Sequence, residues 1–525
     1  MSEVSDLKAV RDQALALFNA GRLAEAAPLL ANVLAGGGAD PDVLRSAGVC
    51  LAEFDHFADA EPLIRQALVL RPKDPVALNA LCACLIALGR PAEAEVAARS
   101  ALAIFAAYPD ALNNLGLALQ ALGRLDEALS VFETACRRAP DDPDIRLNLA
   151  NTLKDLDRPA EALAEIDAAL VRDPTVARAW YNRGNILQDL LRHAEAVSSY
   201  DTAIRLEPEH PGANWNRSLS LLTVGDYERG FEGYEWRWRN PAVHPPMRDF
   251  TIPRWTGDSD PKGKSIWVHC EQGYGDAIQF IRYAPLLHRR GARVIVEALP
   301  ALATLFRSVD GVDAVITKGD PAPGADLHCP LLSLPLALRV TGSTPPCDAP
   351  YLSPPDDRRL DWRKRLGPKV RPRIGLCHAG SATHGNDHRR SLPLDRLLAH
   401  LPVGADYFLL PTELRRGDEE ILRGRPDVTW IGRELADFSD TAAICLELDA
   451  VVSVDTSIAH LAGALARPVL VLLPYHPDWR WGLARTDSDW HRTAELFRQT
   501  EANAWEPALV RMQARLADVI GASLS

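Results

Sequence analysis

A short polar segment after an apolar run holds residues suited to binding an anion. The run Ala450 to Val454 is rich in valine and is followed by Asp455-Thr456-Ser457, which opens an amphipathic helix. The free N–H groups and positive dipole end of a helix N-terminus suit a phosphate. His460 lies one turn further along and can donate to the same anion. By themselves, these residues favour an ordinary capped helix, because such caps are far commoner than phosphate sites.

A carboxylate follows another apolar run. Ser265 to Cys270 leads into Glu271-Gln-Gly-Tyr-Gly-Asp276, where Gly273 and Gly275 permit a tight turn and a close backbone approach. Asp276 stands at the start of a helix, which keeps a carboxylate ionised and able to take a proton from a hydroxyl as a general base. From the local sequence alone, an ordinary N-terminal cap is the favoured role of Asp276.

Two Asp-x-Asp segments and three histidines have spacings found in metal sites, but their positions in the sequence argue against metal binding. Asp258-x-Asp260 and Asp487-x-Asp489 match a divalent-cation motif, yet neither directly follows an apolar strand. His378, His384 and His388 are close in sequence, but two of them fall in a predicted loop without a metal-ligand frame. We therefore predict neither a metal nor a cofactor.

The elements that must position these residues alternate between strand and helix. After a proline-rich linker at 241–262, short β-branched runs alternate with longer amphipathic stretches in two series. This pattern predicts two Rossmann-like domains, at 263–355 and 356–525, each with a parallel sheet covered by helices. Because open sheets bind ligands beyond the carboxyl ends of their strands, we expect both polar segments at a common cleft.

The first 240 residues follow a different period. Small residues recur every 34 positions, at Gly48, Cys82, Gly116, Ala150 and Gly184. That period is typical of the tetratricopeptide (TPR) helix-turn-helix, and we count about seven repeats over residues 1–240. Stacked repeats form an α superhelix with a concave groove.

Asparagines recur in the same register. Asn114, Asn148, Asn182 and Asn216 are each 34 residues apart, on the first helix of each repeat, at a position that faces the groove. An amide both donates and accepts, so a ladder of amides can pair with the peptide groups of an extended chain. One such residue needs no partner on a solvated helix face, but four in register favour binding of a polypeptide.

The amino-acid composition limits the class of binding partner and indicates the cellular compartment. The 58 Lys and Arg residues are outnumbered by 70 Asp and Glu, and the resulting charge of -12 argues against a nucleic-acid partner. The nine cysteines form no C-x-x-C pair and are typical of reduced thiols in a cytoplasmic protein. The acidic N-terminus and the lack of any apolar run near the roughly 20 residues of a membrane span predict neither a secretory signal nor an integral membrane segment.

The string from Asp455 to Pro468 resembles the D-T/S-x-x-x-H-L-x-x-A-L-x-x-P signature of heptosyltransferase-type (family 9-like) glycosyltransferases, which have the GT-B fold of two Rossmann-like domains. Gly275-Asp276 matches the G-D motif of that family, whose Asp activates the acceptor hydroxyl. Arg390, three residues before Pro393, stands where relatives have a basic residue, often Lys, that contacts donor phosphate. The resemblance implies donor contacts from Arg390, Asp455, Thr456, Ser457, His460, Gly380 and Trp481, and acceptor contacts from Gly273 and Tyr274. For Trp479 and Trp481, filling a core is the equal alternative.

The segments Trp236-Arg-Trp238, Pro330 to Pro335 and Asp478 to Trp481 look like bacterial TPR-fused members of this family, some of which glycosylate flagellin. The asparagine ladder resembles that of the O-GlcNAc transferases, whose TPR groove holds acceptor polypeptide. His378 departs from the pattern, because relatives usually carry Trp there. The GT-B resemblance also implies that the last helix, from about Pro507 to Gly521, braces both lobes.

We therefore expect transfer of a sugar from a nucleotide sugar to a hydroxyl of an acceptor protein, flagellin being one candidate, held in the TPR groove. The resemblance implies a metal-independent reaction with inversion. Two alternatives stay open: a TPR adaptor with an inactive GT-B half, and a transferase acting on a lipopolysaccharide-type glycan. The sequence leaves open the acceptor, the oligomeric state and the donor, which carries two phosphates if it is a nucleoside-diphosphate sugar and one if it is a nonulosonic acid on CMP.

Overall fold

The computed structural model describes residues 2–243, 245, 247–340, 349–383 and 385–524, apart from the side chains of residues 2–6 and 524. Cys347 and His384 lie outside this part of the chain. The chain divides into two compact units, Met1–Pro208 and Glu209–Ser525. Within the described ranges, each helix is too short or too polar to cross a membrane.

The first unit is built from helices that follow one another in pairs. They are α1 (Ser2–Asn19), α2 (Leu23–Ala35), α3 (Pro41–Glu53), α4 (Phe57–Leu70), α5 (Pro75–Ala87), α6 (Pro91–Ile104), α7 (Pro109–Ala121), α8 (Leu125–Arg138), α9 (Pro143–Asp155), α10 (Pro159–Arg172), α11 (Ala177–Asp189) and α12 (His193–Leu206).

Proline and aspartate mark the starts of several of these helices. Helix α5 begins at Pro75, whose fixed φ suits the first helical position, and the Asp74 carboxylate accepts two backbone N–H groups of the first turn. Asp40 and Asp142 cap α3 and α9 in the same way. The 34-residue spacing of these helix starts therefore has a local physical cause.

Small residues let the two helices of a pair approach closely. A Cβ built on Gly116 of α7 would lie 2.5 Å from Cζ of Phe132 on α8. A Cβ on Gly184 of α11 would lie 2.3 Å from Cε1 of Tyr200 on α12. Both aromatic rings are fully buried, so a larger residue at either glycine would overpack the interior of the pair.

The turn inside each pair uses left-handed backbone. The residues at this position have φ between 57° and 74°, and they are Gly21, Asp55, Gly89, Gly123, Asp157 and Leu191. Glycine adopts this conformation freely and aspartate tolerates it. At Leu191 it costs about 1–2 kcal/mol.

A further helix pair opens the second unit. Helices α13 (Pro211–Thr223) and α14 (Tyr227–Tyr234) are followed by a 3₁₀ turn at Glu235–Arg239. The Phe231 ring lies 6.1 Å from that of Phe280, and the Tyr227 ring lies 5.8 Å from that of Trp490. The sequence groups this pair with the repeats, whereas in the structure its aromatic side chains belong to the core of the unit that holds the sheets.

A four-stranded parallel sheet follows, in the order β3-β2-β1-β4. Its elements are β1 (Ser265–His269), α15 (Tyr274–Phe280), α16 (Ala284–Arg289), β2 (Arg293–Ala298), α17 (Ala303–Phe306), β3 (Ala314–Thr317), β4 (Leu327–Pro330) and α18 (Leu334–Ala337).

A six-stranded parallel sheet completes the unit, in the order β10-β9-β8-β5-β6-β7. Its elements are α19 (Asp356–Leu366), β5 (Arg373–Cys377), α20 (Asp387–Arg390), α21 (Leu394–Ala399), β6 (Asp406–Leu409), α22 (Asp418–Arg423), β7 (Val428–Trp430), α23 (Phe438–Glu447), β8 (Ala450–Val454), α24 (Ser457–Ala464), β9 (Val469–Leu473), β10 (Ala494–Arg498) and α25 (Glu506–Leu524).

Both sheets reverse their strand order next to a strand that leads into a polar loop. The reversals fall between β1 and β4 and between β5 and β8, and such switch points open a crevice at the carboxyl ends of the strands. Helices α15 and α24, which follow β1 and β8, pack on each other. A Cβ at Gly275 would lie 3.0 Å from Cδ2 of His460 and 3.6 Å from Cα of Ser457, so a glycine permits this approach.

Helix α25 packs on the six-stranded sheet. Its buried residues, including Leu509, Met512 and Leu516, lie in the same core as β5, β6, β8 and β9 of the six-stranded sheet. The helix contacts β9 and β10. The apolar face of α25 thus covers this sheet, and the bracing of both lobes that the resemblance implies stays a prediction.

Candidate functional site

A cavity of about 450 Å³ lies at the carboxyl ends of β1, β5, β8 and β9. Loops after strands of both sheets contribute to its walls, as the switch-point rule predicts. It brings together most residues singled out from the sequence, namely Gly273, Tyr274, Asp276, Gly380, Arg390, Asp455, Thr456, Ser457 and His460. Residues 273–276 and 455–460 are therefore neighbours in space despite being far apart in the chain.

Asp276 is held at two points. Its Oδ2 accepts the N–H of Gly273 at 3.1 Å, which closes the first turn of α15. Its Oδ1 accepts from Nη2 of Arg480 at 2.5 Å. Gly273 is the N-cap of α15 and Asp276 is its third residue, so Asp276 closes the helix start as the partner in a capping box rather than as the cap itself. The carboxylate is still 24% exposed at the cavity.

Arg480 is the most heavily engaged charged group of the site. It donates from Nε to Gln279 at 2.6 Å and from Nη1 to Asp478 at 2.9 Å, in addition to its bond to Asp276. Burial disfavours the charged form of Arg480 and by itself would lower its pKa. The carboxylates of Asp478 and Asp276 have the larger combined effect, so the pKa of Arg480 is raised. Arg480 is therefore a permanent cation beside Asp276.

Arg390 lies against a glycine. A Cβ at Gly380 would lie 2.5 Å from Nη2 of Arg390, so the absence of a side chain at Gly380 makes room for the guanidinium. Nη1 of Arg390 donates to the carbonyl oxygen of Asp455 at 3.1 Å. The Gly380 loop is itself fixed by Arg415, which donates to its carbonyl oxygen at 2.8 Å.

The N-terminus of α24 opens into the cavity without a side-chain cap from Thr456. The Thr456 hydroxyl instead lies 3.1 Å from Oγ of Ser453 and 3.5 Å from Sγ of Cys377, at the ends of β8 and β5. The first-turn N–H groups of a helix have no partner within the helix. This terminus therefore presents backbone donors, rather than the Thr456 side chain, to an anion.

Burial shifts two titratable groups beside this terminus. Burial, reinforced by Asp478, raises the pKa of Asp455 to about 6. Burial, reinforced by Arg480, lowers the pKa of His460 to about 3. At neutral pH His460 is consequently an uncharged imidazole, which can still donate one hydrogen bond.

Trp481 is not a wall of the cavity, although it was one of the expected donor contacts. Its ring is 1% exposed and stacks under His460, with centroids 5.1 Å apart and planes inclined by 19°. Trp479 is also buried and packs on Trp490 and Phe280. Of the two roles considered for these tryptophans, the structure supports packing.

Two of the three histidines considered as metal ligands, His378 and His388, lie in the described part of the chain. His378 is buried, with Nε2 3.0 Å from Oδ2 of Asp418, and burial lowers its pKa. His388 lies on α20, and His384 lies outside the described residues. Across the ranges that the structure describes, no three His, Cys, Asp or Glu side chains are grouped to hold a metal ion.

A second cavity of about 590 Å³ adjoins the first. The two share Tyr274, Gly380, Ser381, Thr456 and Ser457 as lining residues. The walls of the second cavity are more apolar and include Leu410, Pro411, Leu435, Phe438 and Ile458. The Tyr274 ring lies 5.0 Å from that of Phe438, so this aromatic pair stands beside both spaces.

The asparagines of the first unit pair with one another. Nδ2 of Asn114 donates to Oδ1 of Asn79 at 2.9 Å, and Nδ2 of Asn148 donates to Oδ1 of Asn113 at 2.8 Å. Asn182 donates to Asn151 at 2.9 Å. These bonds link successive repeats and fix the amides, each of which has a second N–H and a carbonyl oxygen. Asn216 lies on α13 in the other compact unit.

Sequence reasoning missed several lining residues. Arg480, Asp478, His476, Arg389 and Asn386 all line the first cavity. In the sequence, Asp478 and Arg480 stand out only as part of a tryptophan-rich segment. The pattern that could have pointed to them is an acid two residues before an arginine, which favours a local ion pair.

The first part of the chain matches known repeat families. Models described as tetratricopeptide repeat match residues 119–185, residues 177–210, and residues 11–75 together with 85–143. The first part of this chain is a tetratricopeptide-repeat array. This confirms the prediction made from the 34-residue period.

One curated relative and several solved structures are similar to parts of the chain. Protein FlbA of Caulobacter vibrioides is 28% identical over 344 residues, which cover 57% of this chain and 54% of FlbA. The match therefore spans little more than half of that relative's length. A thermophilic TPR protein of Thermus thermophilus is 23% identical with a TM-score of 0.32 and covers 35% of this chain and 99% of its own. PilF of Pseudomonas aeruginosa is 18% identical with a TM-score of 0.35 and covers 39% and 93%.

Proposed function

We propose that the second unit is a glycosyltransferase of the GT-B type and that the repeat array supplies its acceptor protein. The observation that carries this proposal is the 450 Å³ cavity in which Asp276, from the loop after β1, faces the N-terminus of α24 and Arg390. A carboxylate on one wall and anion-binding groups on the other are what displacement of a phosphate by a hydroxyl requires.

In the proposed reaction Asp276 takes the proton of the acceptor hydroxyl. The hydroxyl oxygen forms a bond to the anomeric carbon while the bond from that carbon to the donor phosphate oxygen breaks, with inversion. The electron pair leaves with the nucleotide. Two contacts fix the direction of the Asp276 carboxylate: the hydrogen bond from the Gly273 N–H and the ion pair with Arg480. General-base catalysis of this kind contributes about 10²–10⁴-fold to a rate.

The departing phosphate gains negative charge opposite fixed positive groups. The N–H groups that open α24 point at a cavity that also receives the Arg390 guanidinium. An arginine can hold phosphate through two parallel hydrogen bonds. In this proposal these groups take the part that a divalent cation has in other transferases, so the reaction does not depend on a metal.

The two adjoining cavities suit the two parts of a nucleotide sugar. The polar first cavity would hold phosphate and sugar between Asp276 and α24. The more apolar second cavity, with Phe438 and Ile458 in its walls, would hold the nucleoside. Ser457 and Tyr274 line both, so a single ligand can extend from one into the other.

A polypeptide acceptor is supported by the repeat array. The paired amides of Asn114, Asn148 and Asn182 form a series of fixed donors and acceptors spaced along successive helices. Preordered amides lose less conformational entropy on binding than free ones do. Flagellin is one acceptor of this class, and a lipopolysaccharide-type glycan is the competing one.

The adaptor alternative has one observation in its favour. Arg480 and the Gly273 N–H together occupy both oxygens of Asp276, as they would in a carboxylate with a structural role only. An adaptor would retain acceptors in the repeat array without modifying them.

Incubation of the purified chain with nucleotide sugars and a cell lysate tests the proposal, with sugar incorporation read by mass spectrometry. We expect labelling of protein that persists in EDTA and falls by about 10²–10⁴-fold in Asp276→Asn. Asp258→Asn is the matched control, because Asp258 is 80% exposed and belongs to the rejected cation motif. Equal labelling by Asp276→Asn would remove the base assignment, and co-purification without labelling would favour the adaptor.

A further inference from the structure

We propose that His491 is a positioning residue that fixes the tautomer of His460, so that His460 presents an Nε2–H donor to the anion in the cavity. The inference rests on the proposed function for the identity of that anion as a phosphate. It assigns a role to a residue that does not line the cavity and that no sequence motif singles out.

The two imidazoles form a buried pair. Nδ1 of His460 lies 3.0 Å from Nε2 of His491, and the residues are 5% and 1% exposed. At this distance one nitrogen carries the proton and the other accepts it. Whether Nδ1 of His460 is protonated or bare, Nε2 of the same neutral ring has the opposite state, and His460 lines the cavity.

Both imidazole rings are buried and closely packed. His460 is stacked on Trp481, with centroids 5.1 Å apart. His491 lies against Gly463, where a Cβ would come within 2.3 Å of the His491 Cγ. Helix α24, which carries both His460 and Gly463, therefore fits the His491 ring closely.

The pair holds a single shared proton in its hydrogen bond at neutral pH. Burial lowers the pKa of His460 to about 3 and that of His491 well below its ordinary value, and Arg282 and Arg480 add to these effects. Asp478 opposes the shift at His460 but does not reverse it. Both imidazoles are thus neutral, and the remaining question is the direction of the bond.

One contact favours donation from His491. Nδ1 of His491 is buried and has no hydrogen-bond partner among the described residues, so it does not distinguish the two directions. On the other side, Nε2 of His460 lies 4.0 Å from Oδ1 of Asp455. An N–H directed toward that carboxyl is attracted, whereas a bare lone pair would be repelled.

An Nε2–H on His460 adds a neutral donor to the uncapped terminus of α24. It contributes a hydrogen bond to phosphate without adding a full charge. The arrangement leaves Arg390 as the cation of that wall. A base at Nε2, which the reverse tautomer would create, would repel the same phosphate.

The tautomer can be measured on the full chain. Long-range ¹H–¹⁵N correlation spectra of ¹⁵N-histidine-labelled protein distinguish protonated from bare ring nitrogens, and His460→Gln identifies the His460 signals. We expect a bare Nδ1 and a protonated Nε2 on His460 at pH 7.5. A proton on Nδ1 of His460 would overturn the inference, whatever the protein binds.

Variants test the effect on the anion, with inorganic pyrophosphate as the probe in calorimetry. His491→Leu removes the donor and should weaken pyrophosphate binding about tenfold, with a proton appearing on Nδ1 of His460. His491→Gln keeps an N–H donor and should bind within about twofold of wild type. Unchanged affinity and tautomer in a folded His491→Leu would refute positioning by His491.

The two hypotheses fail differently. A wild-type chain that shows the expected tautomer but binds no pyrophosphate would overturn the proposed leaving-group site and leave the action of His491 on His460 intact. Should neither variant fold, as judged by thermal melting, the wild-type spectrum alone decides the inference.

Discussion

Deletion of the repeat array should have opposite outcomes at two cut sites only 32 residues apart, Glu209 and Pro241. The fragment Glu209–Ser525 keeps the helix pair α13–α14 that packs into the sheet core. A fragment beginning at Pro241 loses the five side chains that this pair contributes to the sheet core, Trp215, Leu222, Tyr227, Phe231 and Tyr234.

The magnitude follows from their burial. Each of the five is at most 9% exposed, and burying a side chain of this size contributes roughly 1.5–3 kcal/mol, so their loss removes about 7–15 kcal/mol. A domain is stable by only about 5–15 kcal/mol in total. The same cut removes Arg237, which donates to Glu271 at 3.1 Å, and leaves that buried carboxyl without its cation. The shorter fragment should therefore not fold.

Circular dichroism melting of both fragments beside the full chain measures this. We expect a cooperative transition for Glu209–Ser525 and none for the fragment from Pro241. A cooperative transition at the same temperature in both fragments would refute the assignment of α13–α14 to the sheet core. Failure of both would mean that the repeat array is needed for folding of the second unit.

Two further results are expected. Burial raises the pKa of Asp455 to about 6, so this carboxyl is negative above that pH and neutral below it. Sulfate binding measured by calorimetry should therefore tighten from pH 7 to pH 5. If the same pH dependence of sulfate affinity survives in Asp455→Asn, Asp455 is not its cause. Gly275→Ala should lower the free energy of unfolding by about 1–3 kcal/mol in urea titrations, because the added Cβ meets His460. Gly273→Ala is the control: its Cβ comes no closer than 3.4 Å to Asp276, so its free energy of unfolding should stay within about 0.5 kcal/mol of wild type. Equal losses in the two variants would count against close packing at Gly275.

Local patterns predicted the parts of the fold that have local causes. The 34-residue period reflects helix starts such as Pro75 and close contacts such as Gly116 on Phe132, all within one or two repeats. Strand alternation predicted parallel sheets, and the switch-point rule predicted that residues 273–276 and 455–460 would meet. Each of these rules needs only neighbouring sequence and a general topology.

The remainder depends on contacts between distant segments. Arg480 binds Asp276 across 204 positions of the sequence, and the residues around each one do not predict this pairing. Trp481 looked like a ligand contact because tryptophan suits both a core and a nucleobase, and only packing under His460 decides between them. Asp157 and Leu191 take the left-handed turn conformation that glycine marks elsewhere, and neither residue type predicts it.

The Asp276–Arg480 ion pair joins segments that belong to the two different sheets of the second unit. Asp276 follows β1 of the four-stranded sheet, while Arg480 lies between β9 and β10 of the six-stranded sheet. A hydrogen bond of 2.5 Å tolerates little separation, so a movement that parted the two sheets at this point would break it. The orientation of this carboxylate is thereby coupled to the distance between the sheets, because both of its oxygens are held only while Arg480 stays beside it.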